Sequence, residues 1–261
     1  VDPGSEVLTT NPCFPMYNVY SELYQARLKS VNYDKNLEWS VGDMIKSITD
    51  KTSLIIIANP NNPIGDYKKP SELVDLFIYT QERGIPVLVD EAYVQFVPNH
   101  YGTCITKGFK FQNVVTCRTF SKALGGAGVR IGYMITNKPF MEKIEKWRFM
   151  HEVTGIASKF GSYIMDNYSE VDNYIDSTNY EKHLLIEKLS KKYDVIGGHC
   201  NWIHINDKND NEFICSVLDK YKDVTYKVGV SIPYDDRTNW LRLTIGPDLH
   251  KQEFMKEIIN V

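Results

Sequence analysis

Several side chains that could take part in catalysis follow directly after short apolar segments of the sequence. These segments run into Asn11–Pro15, Asn59–Gly65, Asp90–Tyr93 and Thr119–Lys122. Lysine amines, carboxylates and phenols are the groups that serve nucleophilic and acid–base catalysis. Ligands of open α/β sheets gather at the carboxyl ends of parallel strands. If the segments are neighbouring strands, we expect an amide, a carboxylate, a phenol, two hydroxyls, a lysine and an aromatic ring to converge at one site.

The first part of the chain has the pattern of an α/β sheet. Apolar runs rich in β-branched residues predict buried strands. An amphipathic segment, Ser71 to Arg83, predicts a helix that stops at Gly84. Continuous apolar strands that alternate with helices indicate a mostly parallel sheet covered on both faces. The predicted strands are Val7–Thr10, Leu54–Ala58, Pro86–Asp90, Val114–Thr119 and Ile131–Thr136.

After Pro139 the pattern changes to α+β. Two long helical stretches are predicted, Phe140 to about Tyr168 and Val171 to Tyr193. Short strands and two further helices follow. We therefore predict a large domain over residues 1–165 and a smaller C-terminal domain over residues 166–261. The strands are Trp202–Ile205, Tyr226–Val230 and Leu241–Thr244, and the helices lie near Glu212–Tyr221 and Lys251–Ile259.

Composition excludes several classes of protein. The 261 residues are 43% hydrophobic and 24% charged, with a net charge of −3 and a pI near 6.1. Nucleic-acid binding needs a basic surface, which this charge balance does not favour. No apolar run approaches the roughly 20 residues of a membrane helix. The five cysteines are scattered without a CxxC pair, so we expect neither disulfides nor a metal site, and a cytoplasmic location.

Taken one at a time, these features have ordinary explanations. The Asn-Pro run is typical of a turn, a strand-end aspartate can cap a helix, and a single lysine is usually solvated. In their order along the chain, however, the motifs resemble fold-type I pyridoxal-phosphate (PLP) enzymes. Within these, they resemble the class I/II aminotransferases of the histidinol-phosphate aminotransferase branch. The most specific stretch is Thr119 to Tyr133, supported by Asn59–Gly65 and Val89–Tyr93.

The resemblance implies roles in holding the cofactor. Lys122 would form the Schiff base and move the proton, and Asp90 would pair with the pyridine nitrogen. Asn62 and Tyr93 would hydrogen-bond the phenolate oxygen of the ring. Phe14 would stack on the ring, although phenylalanine is also an ordinary core residue.

The resemblance also assigns the anion-binding groups. Arg130 would bind the cofactor phosphate, with Thr119 and Ser121 adding hydroxyl donors, since guanidinium matches phosphate geometry. The alternative for Arg130 is a structural salt bridge. Arg242 would bind the α-carboxylate of the substrate, and the alternative for it is a solvent-facing side chain on an alternating strand.

The predicted function is transfer of an amino group between an amino acid or amino-phosphate and a 2-keto acid through a Lys122 Schiff base. One alternative is a PLP-dependent decarboxylase of the threonine-phosphate decarboxylase type, and another is a non-catalytic remnant of the fold. The resemblance implies a homodimer. It also implies that family chains begin before Val1, so the large domain is expected to be N-terminally incomplete.

Overall fold

A six-stranded sheet, which we call the main sheet, organises the first part of the chain. The computed structural model describes residues 1–148, 150, 152–207, 211–221, 224–230, 240–247 and 253–260. The strand order is β2-β1-β3-β4-β5-β6, with β6 antiparallel to β5 and the other neighbours parallel. The predicted mostly parallel sheet is therefore confirmed. Its strands are β1 (Glu6–Asn11), β2 (Arg27–Asn32), β3 (Thr52–Ala58), β4 (Val87–Asp90), β5 (Val114–Thr119) and β6 (Gly132–Ile135).

Four helices connect these strands. Ser40 begins α2 by accepting a hydrogen bond from the backbone N–H of Asp43, which satisfies one of the free donors of a helix start. The predicted helix from Ser71 begins three residues later than expected, at Val74. The bounds are α1 (Met16–Leu23), α2 (Val41–Lys46), α3 (Val74–Glu82) and α4 (Ile105–Lys110).

The apolar strand residues form the main core. Leu8, Ile55, Ile57, Val87 and Val89 are buried with the apolar side chains of α2 and α3. Burial of each such side chain contributes about 1.5–3 kcal/mol. This core fixes the central strands, and therefore the residues at their carboxyl ends.

The single helix predicted from Phe140 to Tyr168 is wrong. The segment contains α5 (Lys138–Ile144), a 3₁₀ turn (Glu145–Trp147) and α6 (Gly155–Asp166). The backbone is extended at Arg148, and Thr154 caps a new helix by accepting from the backbone N–H of Ala157. Positions 149 and 151 lie outside the described residues. The apolar periodicity is similar on both sides of the break, so it did not reveal the two capped helix starts.

An antiparallel sheet of four strands, the second sheet, follows the long helix α7 (Tyr168–Leu189). Its order is β7-β8-β10-β9. The helix predicted near Lys251–Ile259 is seen from Glu253, and positions 251 and 252 lie outside the described residues. The remaining bounds are β7 (Asp194–Gly197), β8 (Trp202–Asn206), α8 (Glu212–Leu218), β9 (Tyr226–Val230), β10 (Trp240–Thr244) and α9 (Glu253–Asn260).

Other sequence-level expectations concern domains, membranes and thiols. The division of the chain near residue 165 stays a prediction. In the described part of the chain, none of the helices combines the length and apolar character that a membrane crossing requires. The cysteines at 13, 104, 117, 200 and 215 are free thiols.

Candidate active site

A cavity of about 390 Å³ opens at the carboxyl ends of the central parallel strands. All eight residues that the resemblance assigned to the cofactor line it, although they come from separate segments of the chain. The strand-end argument therefore placed these residues together correctly, while their individual roles stay predictions. The lining comprises Phe14, Tyr17, Ala58, Pro60, Asn62, Leu88, Asp90, Ala92, Tyr93, Cys117, Arg118, Thr119, Ser121, Lys122 and Arg130.

Asp90, at the end of β4, is held by two donors. The hydroxyl of Tyr17 donates to Oδ2 at 2.7 Å, and the backbone N–H of Ala92 donates to Oδ1 at 3.1 Å. Burial raises the pKa of the Asp90 carboxyl, and the two hydrogen bonds and the charge of Lys122 oppose that rise. A buried carboxylate beside a cavity is well suited to pair with a cationic group of a ligand.

Lys122 lines the same cavity as Asp90. Its Nζ is 5.2 Å from the centre of the Tyr93 ring, within the range of a cation–π contact. Burial, and then the charges of Arg242 and Arg130, lower the pKa of the Lys122 amine, and the charge of Asp90 opposes this. A lowered pKa increases the fraction of neutral amine, which is the form that attacks a carbonyl carbon.

Arg130 also lines the cavity, in a left-handed backbone conformation with φ of 56°. Its Nη1 donates to the carbonyl of Ala127 at 2.9 Å. Among the described residues, no carboxylate lies within ion-pair distance of Arg130. The guanidinium is therefore exposed to the cavity with most of its N–H groups free for an anion, which favours the phosphate role over a structural salt bridge.

The side chain of Thr119 contacts the backbone of Ser121. The Thr119 hydroxyl accepts from the backbone N–H of Ser121 at 3.0 Å and donates to the carbonyl of Ile131 at 3.3 Å. Within the described part of the chain the Ser121 hydroxyl has no hydrogen-bond partner, and since Ser121 lines the cavity it can donate to a ligand there. Of the two predicted hydroxyl donors, Ser121 is therefore the better placed for an anion.

Arg242, on β10 of the second sheet, does not itself line the cavity but contacts Asn62, which does. Its Nη1 donates to Oδ1 of Asn62 at 3.1 Å, and its Cζ lies 4.8 Å from the centre of the Trp202 ring. The side chain is partly buried, so it does not simply face solvent. Its guanidinium therefore lies next to the cavity wall at Asn62, where its remaining N–H groups can bind an anionic group.

The loop Asn61–Gly65, which carries Asn62, is bound to the second sheet at several positions. The Cys200 thiol contacts the carbonyl of Asn61 at 3.7 Å, and the Trp202 indole N–H donates to the carbonyl of Pro63 at 3.1 Å. The backbone N–H of His199 donates to the carbonyl of Gly65 at 2.6 Å. Together with the bond between Arg242 and Asn62, these contacts fix the loop against the second sheet.

Two glycines and a buried lysine support that contact. A Cβ atom on Gly198 would lie 2.5 Å from the carbonyl oxygen of Gly65, so only glycine permits this approach. Nζ of Lys182, on α7, donates to the carbonyls of Gly198 and Cys200 at 2.7 and 2.9 Å. Lys182 is only 4% exposed. The lysine therefore holds the turn that meets the loop.

Sequence reasoning missed three residues around the site. Tyr17, in the first turn of α1, lies three positions after Phe14, and the two rings meet edge to face with centres 5.7 Å apart. Arg118 and Glu91 adjoin the predicted Thr119 and Asp90, and their buried ion pair has a separation of 2.8 Å between Nη2 and Oε2. Glu91 also accepts from Thr103 and from the backbone N–H of Cys104. This network braces the ends of β4 and β5 beneath the cavity.

Comparison with known proteins places these residues in context. The family model described as aminotransferase class I and II matches residues 1–259. The histidinol-phosphate aminotransferase of Clostridium novyi (strain NT) is 29% identical over 268 residues, which cover 100% of this chain and 70% of that protein. Histidinol-phosphate aminotransferase 2 of Oceanobacillus iheyensis is 34% identical over 182 residues, 69% of this chain and 49% of that protein.

The fold is also found among solved structures. The crystal structure of the histidinol-phosphate aminotransferase from Clostridium acetobutylicum matches with a TM-score of 0.83 at 20% sequence identity. The match covers 98% of this chain and 78% of that one. At this identity the likeness establishes the fold, which agrees with the predicted combination of a mostly parallel sheet and a smaller α+β part.

Proposed function

Because the chain belongs to the aminotransferase class I and II family, we propose that it moves an amino group from an amino-phosphate such as histidinol phosphate to a 2-keto acid. The family match confirms the resemblance, the enzyme class and PLP as the cofactor. The observation that carries the proposal is the convergence of Lys122, Asp90 and Arg130 on one cavity.

The cavity fits PLP in the chemistry of its donors. The cofactor has a pyridine nitrogen, a phenolate oxygen, an aldehyde and a phosphate. Asp90 is a buried carboxylate for the nitrogen, Lys122 is an amine for the aldehyde, and Arg130 is a guanidinium for the phosphate. When bound, PLP supplies an electron sink next to the reacting carbon of the substrate.

The chain's own residues would then orient and move protons. Asp90 would keep a proton on the pyridine nitrogen, since a buried carboxylate stabilises a cation beside it. Tyr93 and Asn62 would donate to the phenolate oxygen, and Phe14 would cover one face of the ring. Nζ of Lys122, once displaced by the substrate amine, would take a proton from the substrate carbon and return it to a neighbouring atom.

The proposed donor follows from the names of the relatives. Both curated relatives are histidinol-phosphate aminotransferases, and this supports an amino-alcohol phosphate as the donor. The acceptor would be a dicarboxylic keto acid such as 2-oxoglutarate, whose α-carboxylate Arg242 would bind as a planar anion. The decarboxylase alternative is not favoured, because these relatives are aminotransferases.

We also propose a homodimer in the cytoplasm. Three large apolar side chains near α6 lie in solvent, since Trp147, Met150 and Ile156 are 78%, 90% and 81% exposed. Large apolar side chains exposed within one short segment support an interface with another chain, where they would be buried. The free cysteines agree with a reducing compartment. Sedimentation equilibrium would test the dimer, and a monomer at micromolar concentration would contradict it.

The function is tested with the purified chain, added PLP, histidinol phosphate and 2-oxoglutarate. We expect a yellow absorbance band that borohydride removes, with the reduced label on Lys122, and formation of glutamate without release of carbon dioxide. Lys122→Ala should abolish both the band and glutamate formation. Lys110→Ala, a change at an exposed lysine of α4, is the matched control. With threonine phosphate, which carries a carboxylate, offered in place of histidinol phosphate, carbon dioxide release would support the decarboxylase; absence of PLP binding would contradict the proposal.

A further inference from the structure

Trp202 is a buried indole that joins three parts of the candidate site. It begins β8 and is only 3% exposed. Its ring lies between Arg242 and Tyr93, and its N–H reaches the loop that carries Asn62. In the sequence Trp202 is the first residue of a predicted strand, and it has no role in the proposed function.

The contact with Arg242 bears on carboxylate binding. The guanidinium carbon lies 4.8 Å from the centre of the indole ring, which is a cation–π distance. An arginine held at an aromatic face keeps its N–H groups at the edge of the guanidinium, where a carboxylate can approach two of them at once. One such N–H already donates to Asn62 at 3.1 Å.

The other two contacts fix the indole itself. The Tyr93 ring meets it edge to face, with ring centres 4.7 Å apart and an angle of 88° between the planes. This is a favoured geometry for two aromatic rings. The indole N–H donates to the carbonyl of Pro63 at 3.1 Å. The indole ring of Trp202 therefore has little freedom to move when Arg242 binds a carboxylate.

We propose that Trp202 is a positioning residue that holds the Arg242 guanidinium in the orientation that binds the substrate carboxylate. It also fixes the position of this guanidinium relative to the Tyr93 ring. Trp202 would not touch the substrate. The inference rests on the proposed function, because it assumes that Arg242 is the carboxylate-binding group. It adds that the orientation of this arginine depends on the face of one indole in the second sheet.

The test compares Trp202→Leu, which removes the aromatic face and the N–H donor, with Trp202→Phe, which keeps a smaller face. The probe is maleate, an unreactive dicarboxylate, titrated into the PLP-loaded protein and followed by calorimetry. Trp202→Leu should raise the dissociation constant for maleate about twofold to thirtyfold, the range of a cation–π contact worth about 0.5–2 kcal/mol at 1.4 kcal/mol per decade. Trp202→Phe should retain most of the affinity.

Turnover gives a second readout. In Trp202→Leu the KM for 2-oxoglutarate should rise by a similar factor with kcat changed less, and the KM for histidinol phosphate, which has no carboxylate, should change little. PLP affinity of the apo-protein should stay within about threefold. Trp39→Phe, the loss of another buried indole, controls for general destabilisation.

The outcomes separate this inference from the function on which it rests. Unchanged maleate binding in Trp202→Leu, or equal losses in the Leu and Phe variants, would overturn the role of the indole face. Arg242→Ala is the companion variant. If it binds maleate normally, the carboxylate assignment of Arg242 is wrong and the inference is overturned with it. A large loss in Arg242→Ala with none in Trp202→Leu overturns the inference alone.

Discussion

The hydroxyl of Tyr17 donates to Oδ2 of Asp90 at 2.7 Å, although the two residues are 73 positions apart in the chain. This hydrogen bond lowers the pKa of Asp90 against the effect of burial. Tyr17 thus favours the ionised form of the Asp90 carboxyl before any ligand binds. Because it holds Oδ2, it also fixes the orientation of the carboxylate group.

Tyr17→Phe should therefore weaken PLP binding. A hydrogen bond to a charged group is worth about 1.5–3 kcal/mol, so we expect a loss of about tenfold to a hundredfold in affinity. Because the pKa of Asp90 rises without this donor, the loss should be larger at pH 5.5 than at pH 8.5. PLP titrations across that range measure it. Tyr20→Phe, at an exposed tyrosine of the same helix, is the control, and equal affinities for both variants would remove the role of Tyr17.

Asp90→Asn should leave PLP bound but strongly suppress turnover. An amide cannot stabilise a protonated pyridine nitrogen, and loss of one partner of a buried ion pair costs about 3–5 kcal/mol. If the transition state loses all of this stabilisation, kcat should fall by roughly two to four decades. Asp75→Asn, at an exposed position of α3, is the matched control. Near-normal kcat in Asp90→Asn would mean that Asp90 only caps the turn after β4.

Arg130→Ala should weaken PLP affinity more than it slows catalysis at saturating cofactor. The phosphate does not change during the reaction, so its binding is nearly uniform along the reaction coordinate. We expect a rise of about tenfold to a hundredfold in the PLP dissociation constant. An unchanged PLP dissociation constant would mean that the phosphate binds elsewhere. Arg83→Ala, at an exposed arginine, is the control variant and should bind PLP as the wild type does.

Gly198→Ala should destabilise the protein and disturb the Asn62 loop. The added methyl group would lie 2.5 Å from the Gly65 carbonyl oxygen, a backbone atom that cannot move alone. Overpacking of this kind typically costs about 1–3 kcal/mol. Gly155→Ala, where no atom lies within 4 Å of an added Cβ, should change the free energy of unfolding by less than about 0.5 kcal/mol. Urea unfolding of both variants is the measurement, and equal stabilities would argue against a rigid contact.

Lys182 predicts a pH dependence of stability. Burial lowers the pKa of its amine from 10.5 to about 8. Between these two values the unfolded chain binds more protons than the folded one, so this group makes the folded state more stable as pH rises through that window. At about 1.4 kcal/mol per pKa unit, the gain over the whole window is on the order of 3–4 kcal/mol.

Lys182→Met lacks this titration. The free energy of unfolding of the wild type, minus that of Lys182→Met, should increase between pH 8 and pH 10. Lys191→Met, at an exposed position just after α7, should run parallel to the wild type. Parallel profiles for all three proteins would indicate that the Lys182 amine titrates normally.

The sequence predicted most of the site because its key residues follow runs of buried β-branched residues. Lys122 and Asp90 were placed together by the rule that parallel strands share an edge, and the structure agrees. Strand β2 (Arg27–Asn32) was missed, since it lies at the edge of the main sheet and carries two basic side chains. Its period-2 signal is correspondingly weak.

The contacts that organise the site could not be predicted in the same way. Tyr17 meets Asp90, and Arg242 meets Asn62 across 180 positions of sequence. The first pair depends on how α1 packs on the main sheet, and the second on how the second sheet packs on the main sheet. Local periodicity contains no information about either packing. The break before α6 is a different case. There, the capping residue Thr154 was visible, but the apolar pattern continued through it.

The second sheet contacts the Asn61–Gly65 loop mainly through the main-chain atoms of the loop. Three of the contacts across this boundary end on main-chain carbonyl oxygens, those of Asn61, Pro63 and Gly65. Among the hydrogen bonds that the described residues make across this boundary, the one from Arg242 to Asn62 ends on a side chain. The backbone of the loop thus determines where the loop lies, whereas the Asn62 amide determines what the loop can bind. A substitution at Asn62 should therefore alter what the site recognises while the loop stays where it is.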